Sequence, residues 1–247
     1  MIQPVFYNIF CCFIIALTSA YTSFYIFQKQ GFYIFQKQGF SFFQKQKKDK
    51  EAISFGFFWL SVALTWVCIG FYTLFLPSIN KPFVYAGQVF IAFSFIFLIF
   101  YLLYKIWGKI YKWVLFLYFF IDFFYIFSVF YVPFPNPLVT DWGVAFPIPS
   151  LVSIPFVLLT GIVLVLGLFD IFKRIFQWIR KKQVYDLYKF FATFSIVLYL
   201  FAGFFDEWAI HYGGIRLFLI RIFEMFSALL AYLCYSGEVY EKENFVE

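Results

Sequence analysis

Three charged residues fall inside long apolar runs: Asp122 in FFIDFFYIF, and Arg221 and Glu224 in LIRIFEMF. A charge in hydrocarbon is costly, so such a residue faces the protein interior and pairs there, or handles a proton or an ion. Arg221 and Glu224 are three apart, which on a helix places them on one face within pairing reach. Asp122 is expected at a depth comparable to Glu224, where Arg221 bridges to it if the two helices face each other. Three kinds of chemistry follow. One is an interhelical ion pair that fixes packing. A second is a proton or cation path through Asp122 and Glu224, and a third is a counter-charge role for Arg221 toward an anion or ligand.

A second group lies at the ends of apolar runs. Asp141 and Trp142 sit in VPFPNPLVTDWGVAFPIPS, and Asp206, Glu207, Trp208, His211 and Arg216 occupy what reads as a turn between two spans. Together they suggest an acidic, Trp-lined vestibule suited to a cation or protonated ligand. The same residue types also serve as ordinary interfacial anchors. Asp170 precedes Lys173 and Arg174 by three and four residues, a spacing that reads as a local surface salt bridge.

Other chemistry is excluded by inventory. His211 is the only histidine, so a haem with two axial histidines cannot be built. Cys11, Cys12, Cys68 and Cys234 form no CxxC and read as small buried hydrophobes. There is no His/Cys cluster for zinc and no Lys in the last apolar run for a Schiff base. No Gly-rich phosphate loop and no GxSxG occurs. The expectation is no catalytic residue, no metal, no cofactor, no enzyme activity and no nucleic-acid partner.

The elements that position these residues are membrane helices. The chain has 247 residues, 64% hydrophobic and 13% charged, where soluble domains run about 45–50% and about 25%. Apolar runs lie at about Val5–Phe27, Ile53–Leu76, Phe83–Tyr104, Trp113–Val132, Ser150–Phe169, Leu187–Phe205 and Leu217–Tyr235. Each can cross roughly 30 Å of hydrocarbon as a helix, and lipid leaves the backbone few alternatives. The runs are continuous, not alternating, which argues against a β-barrel. The expected architecture is an all-α integral membrane protein, a seven-transmembrane-helix bundle over 1–247. A basic inside loop at 28–52 and a Pro-rich outside loop at 133–149 are the principal connections.

Orientation follows from the cations. Sixteen of the 19 Lys and Arg fall in the connections after spans one, three and five or in the tail; Lys81 and Arg216 lie on the other side, and Arg221 within a span. That bias predicts an outside N-terminus and an inside C-terminus. Thr18-Ser19-Ala20 loosely matches a signal-cleavage site, but Met1–Pro4 has no positive charge, so span one is expected to be retained. The 44 Phe point to AT-rich coding. A bacterial cytoplasmic membrane or a mitochondrial inner membrane is the expected location.

One internal repeat occurs: SFYIFQKQ, GFYIFQKQ and GFSFFQKQ at Ser23–Gln30, Gly31–Gln38 and Gly39–Gln46. Eight residues are too few for a solenoid unit. Replication slippage explains it, as does a segment in the headgroup layer with Lys against anionic phosphates. Pro155 falls early in span five, as a harmless proline or a mild kink. No GxxxG occurs in the spans, so small-residue contacts are not expected to bind the bundle.

In topology the chain resembles the membrane sensor domains attached to bacterial histidine kinases. Arg216-Leu217-Phe218 resembles the arginine-leucine-phenylalanine of the ATP-synthase proton-channel subunit, although the flanking spans depart from that pattern. Neither resemblance brings a diagnostic residue set, and no family is assigned. The leading expectation is a non-catalytic subunit that packs against protein partners in a larger inner-membrane assembly, with anionic lipid at its basic loops. The alternatives are a small-molecule sensor using the outer vestibule, and a transporter with Asp122 and Glu224 in its path.

Overall fold

The computed structural model describes residues 4–30, 50–74, 81–108, 111–134, 138–140, 143–145, 148–181, 184–212 and 214–244; side chains are not described at 138–140, 143–145, 181, 184–185, 207–212, 214 and 238–244. Seven helices span this length: α1 (Pro4–Lys29), α2 (Lys50–Leu74), α3 (Lys81–Trp107), α4 (Lys112–Tyr131), α5 (Ser150–Lys181), α6 (Val184–Tyr212) and α7 (Gly214–Asn244). All seven are long and apolar enough to cross a membrane. The membrane-spanning architecture of this integral membrane protein is all-helical.

The helices overrun the hydrophobic runs that predict them. α5 continues through Arg180, and α6 and α7 are separated by residue 213 alone. The segment expected as a turn, from Asp206 to Arg216, is therefore helix on both sides of that residue. Pro155 lies inside α5, which continues through it.

Paired side chains give the helix directions. Phe13 meets Phe71 and Phe27 meets Phe57 across α1 and α2. Phe71 meets Phe83 and Phe55 meets Tyr101 across α2 and α3. In both pairs one number rises as the other falls, so the neighbours are antiparallel. Asn8 meets Arg221 and Gln30 meets Tyr235, so α1 and α7 run parallel. The starts of α1, α3, α5 and α7 thus share one face of the bundle, hereafter the N-terminal face. The opposite end is the basic face.

Contacts between α1–α2, α2–α3, α3–α5, α5–α6, α6–α7 and α7–α1 close a ring of six helices, with α4 seated outside against α3 and α5. Within the best apolar window of each helix, 67% of α2 is buried and only 28% of α4, so α2 is the core helix and α4 the peripheral one. Phe55, Phe58, Trp59, Val62 and Trp66 of α2 are buried. Trp59 and Phe58 pack edge-on against Tyr199 of α6. In lipid such packing stabilises through dispersion and close fit, since tails are as apolar as the side chains.

Glycine contributes more than the absence of GxxxG suggests. A Cβ at Gly56 would stand 2.8 Å from Phe27 Cε1, and one at Gly167 would stand 2.8 Å from Val197 Cγ2. Single glycines let large side chains reach a helix backbone, without a small-residue seam.

The first octapeptide copy departs from its expected place in a loop. Ser23–Gln30 completes α1 and its terminal turn, with Ser23, Ile26 and Phe27 buried. Those positions and Gln30, whose Nε2 donates to Tyr235 Oη at 2.7 Å, repeat at i, i+3, i+4 and i+7. That is one face of a helix. The other two copies lie outside the described residues.

Of the Pro-rich connection, the described part includes two short antiparallel strands, β1 (Leu138–Thr140) and β2 (Gly143–Ala145), with Val139 opposite Val144. β2 contacts α1, α2 and α6, at the N-terminal face.

Candidate functional site

Polar side chains enter the bundle at three levels. The first lies toward the N-terminal face and is centred on Arg221, which is 2% exposed. Its Nε donates to Asn8 Oδ1 at 3.1 Å, and its Nη1 donates to Glu224 Oε2 at 3.1 Å. Asp206 Oδ1 is 2.7 Å from the same Nη1, an ion pair placed off the hydrogen-bond direction. The guanidinium carbon lies 4.3 Å from the centroid of the Trp66 ring, a desolvated cation–π contact of about 2 kcal/mol. Trp66 Nε1 in turn donates to Tyr199 Oη at 3.0 Å. Cys12 Sγ is 3.8 Å from Asn8 Oδ1 as a weak donor. Four helices, α1, α2, α6 and α7, therefore converge on one guanidinium.

That cluster is unbalanced. One guanidinium faces two carboxylates, Asp206 and Glu224, and Glu224 is fully buried. Glu224 Oε1 and Arg221 Nη2 have no hydrogen-bond partner among the described residues. A buried unsatisfied polar atom costs about 1–3 kcal/mol, more when charged.

The second level is at mid-depth on α4. Asp122 is buried, and its Oδ1 has no hydrogen-bond partner among the described residues. Tyr118 and Tyr125 lie one turn before and after it; Tyr125 donates to Gln88 of α3, while Tyr118 Oη has no hydrogen-bond partner among the described residues. The bridge from Arg221 to Asp122 is not formed. α4 packs on α3 and α5 whereas α7 packs on α6 and α1, so the expected facing of spans four and seven does not occur.

The third level lies toward the basic face and overturns the reading of Asp170 as a surface pair. Asp170 is 0% exposed and receives Thr193 Oγ1 at 2.6 Å and Arg174 Nε at 3.3 Å. Lys105 Nζ lies 3.9 Å from its second oxygen and donates to Lys189 O at 2.8 Å and to Tyr101 Oη. Arg174 also reaches Asp186 at 3.8 Å and donates to Lys105 O at 3.1 Å. Lys173 donates to Ile106 O at 2.7 Å. These donors satisfy terminal carbonyls of α3, which a helix otherwise leaves unpaired. Lys105 and Arg174 face Asp170 and Asp186, so every acid described at this level has a cation beside it, and the cluster clamps α3, α5 and α6.

Compared with protein-family models, with curated proteins and with solved structures, the chain matches none. The site is therefore read from its own geometry. Of the residues expected to form a vestibule, Asp206 has turned inward to Arg221. Arg216 is exposed in the first turn of α7. Glu207, Trp208 and His211 lie on the last turns of α6, with side chains not described, and Asp141 and Trp142 lie outside the described residues. Asn8 and Trp66 belong to the site without having been singled out. Asn8 had a signal, as a strongly polar residue inside an apolar run; Trp66 in a Trp-rich chain had none.

Proposed function

We propose that this chain is a non-catalytic component of a larger membrane assembly, inserted with its basic face in the cytoplasm or matrix. The observation that carries the reading is the make-up of α4. Its buried residues include Tyr118, Asp122, Tyr125 and Ser128, so its inward face is largely polar. Its outward face is aromatic: Trp113, Phe116, Phe120, Phe123, Phe127 and Phe130 are 43–85% exposed and spaced by alternating threes and fours. The six-helix ring closes without α4. This helix joins the ring through the Tyr125–Gln88 hydrogen bond and aromatic contacts such as Phe119 on Phe100, and offers an aromatic side outward as a straight seam, the spacing by which helices pack on helices. Flat aromatic side chains give more dispersion against protein than against mobile tails.

Purification from the native membrane in a mild detergent, followed by native mass spectrometry, tests this. A heterogeneous complex is expected, and cysteines at Phe123 and Phe127 should cross-link to the partner. A monodisperse monomer with no co-purifying protein ends the reading. A transporter gains nothing from the geometry, because Asp122 and Glu224 sit on helices that pack on different sides of the ring.

A further inference from the structure

We infer that Asp206 and Glu224 share one exchangeable proton around Arg221, making the upper level of the bundle a protonation site. The argument rests on charge count and hydrogen-bond valence, and is independent of whether partners bind α4. Both carboxylates approach the same nitrogen, Nη1, at 2.7 and 3.1 Å. A guanidinium carries one positive charge, and two ionised carboxylates would leave a net negative charge at a position where Glu224 is 0% and Arg221 2% exposed. Burying that charge is far costlier than binding a proton. Glu224 Oε1 and Arg221 Nη2 supply the independent sign of vacant valence: an acceptor and a donor, more than nine-tenths buried, both without hydrogen-bond partners among the described residues.

The described groups around the cluster add acids and neutral side chains. From α1 the cluster meets Cys11, Cys12 and Asn8. From α2 come Tyr72 and Trp66, and from α6 Tyr199 along with Asp206. Among these described groups Arg221 is the sole cation. The clamp at the basic face differs in that each of its acids, Asp170 and Asp186, has a cation within 4 Å and the two do not share a single guanidinium nitrogen.

Difference infrared spectra of the protein in lipid nanodiscs, recorded between alkaline and near-neutral buffer in H2O and D2O so that ordinary carboxylates stay ionised throughout, read the proton directly. An Asp122→Asn background removes the other buried acid that has an unpartnered oxygen. One protonated-carboxyl band should remain there, shift in D2O, and disappear when either Asp206→Asn or Glu224→Gln is added, because either change leaves one acid for one guanidinium. Both are near-isosteric, and their melting temperatures should stay near that of the background, which confirms that the fold persists. Survival of the band in Asp206→Asn overturns sharing. A band that does not exchange in D2O, or that sodium but not choline abolishes, overturns an exchangeable proton as the occupant. Loss of both variants to misfolding also overturns it, since balanced charge predicts that they fold.

Discussion

Replacing Asp170 by Asn changes one atom in shape and one full charge. In the native chain its two oxygens receive Thr193 at 2.6 Å and Arg174 at 3.3 Å, with Lys105 3.9 Å away, and the side chains of Lys105 and Asp170 are 1% and 0% exposed. The substituted asparagine accepts through only one oxygen, and its amide presents hydrogens to cationic donors. Arg174 then keeps Asp186 at 3.8 Å, and Lys105 loses the carboxylate 3.9 Å from it. Removing one partner of a buried pair costs about 3–5 kcal/mol. For a chain of this length that is a fall in melting temperature of roughly 6–20 °C, at about 2–4 °C per kcal/mol. The assay is thermal unfolding in detergent micelles, followed by circular dichroism and by the reactivity of the native cysteines. Adding Lys105→Met restores the balance of one cation to one acid, and a double-mutant cycle should show coupling of about 0.5–3 kcal/mol. If Asp170→Asn melts within about 2 °C of wild type, the clamp carries no net stability and the reasoning fails. The same Asp→Asn change at Asp206 should barely move the melting temperature, because it balances its cluster.

Two further outcomes follow from the packing and the charge pattern. Gly56→Ala places a methyl 2.8 Å from Phe27 Cε1 and 3.2 Å from Ile26 Cγ2, and overpacking of that kind costs about 1–3 kcal/mol; an unchanged melting temperature would mean that the Phe27 ring swings away freely. In a background lacking the four native cysteines, Lys112→Cys should react with an impermeant maleimide only from the inner side of sealed vesicles. Ile215→Cys, 73% exposed in the wild-type side chain, should react only from the outer side, and the reverse pattern would invert the proposed orientation.

The architecture was legible because one solvent sets it. Hydropathy and backbone valence leave a continuous apolar run little choice but a helix, so seven runs gave seven helices. The ends were less legible: α5 extends past its apolar run as a mixed segment, DIFKRIFQWIRK, whose charges interrupt the hydropathy signal without interrupting the helix. The pair Arg221–Glu224 could be read because both residues lie on one helix. Its third member could not. Asp206 is fifteen positions away in sequence and reaches Arg221 only because α6 and α7 fold back around a single residue. Asp170 misled for the opposite reason. Its local spacing to Arg174 is real, and the pair forms, but burial depends on α3 and α6, which local spacing does not contain.

The repeat shows how local pattern and tertiary context divide the explanation. The first copy holds Ser23, Ile26, Phe27 and Gln30 on one helical face and packs that face against α2 and α7 through Phe57 and Tyr235. Tyr25 adds edge-on contacts with Tyr232 and Tyr235. That copy is under packing constraint from both neighbours. The second and third copies differ from the first, opening on Gly where it has Ser23. Deleting Gly31–Gln46 should leave the α1–α7 packing intact, whereas Ile26→Ala, at 0% exposure, should cost about 2–5 kcal/mol. Equal loss from the two changes would place structural weight on the later copies and refute this division.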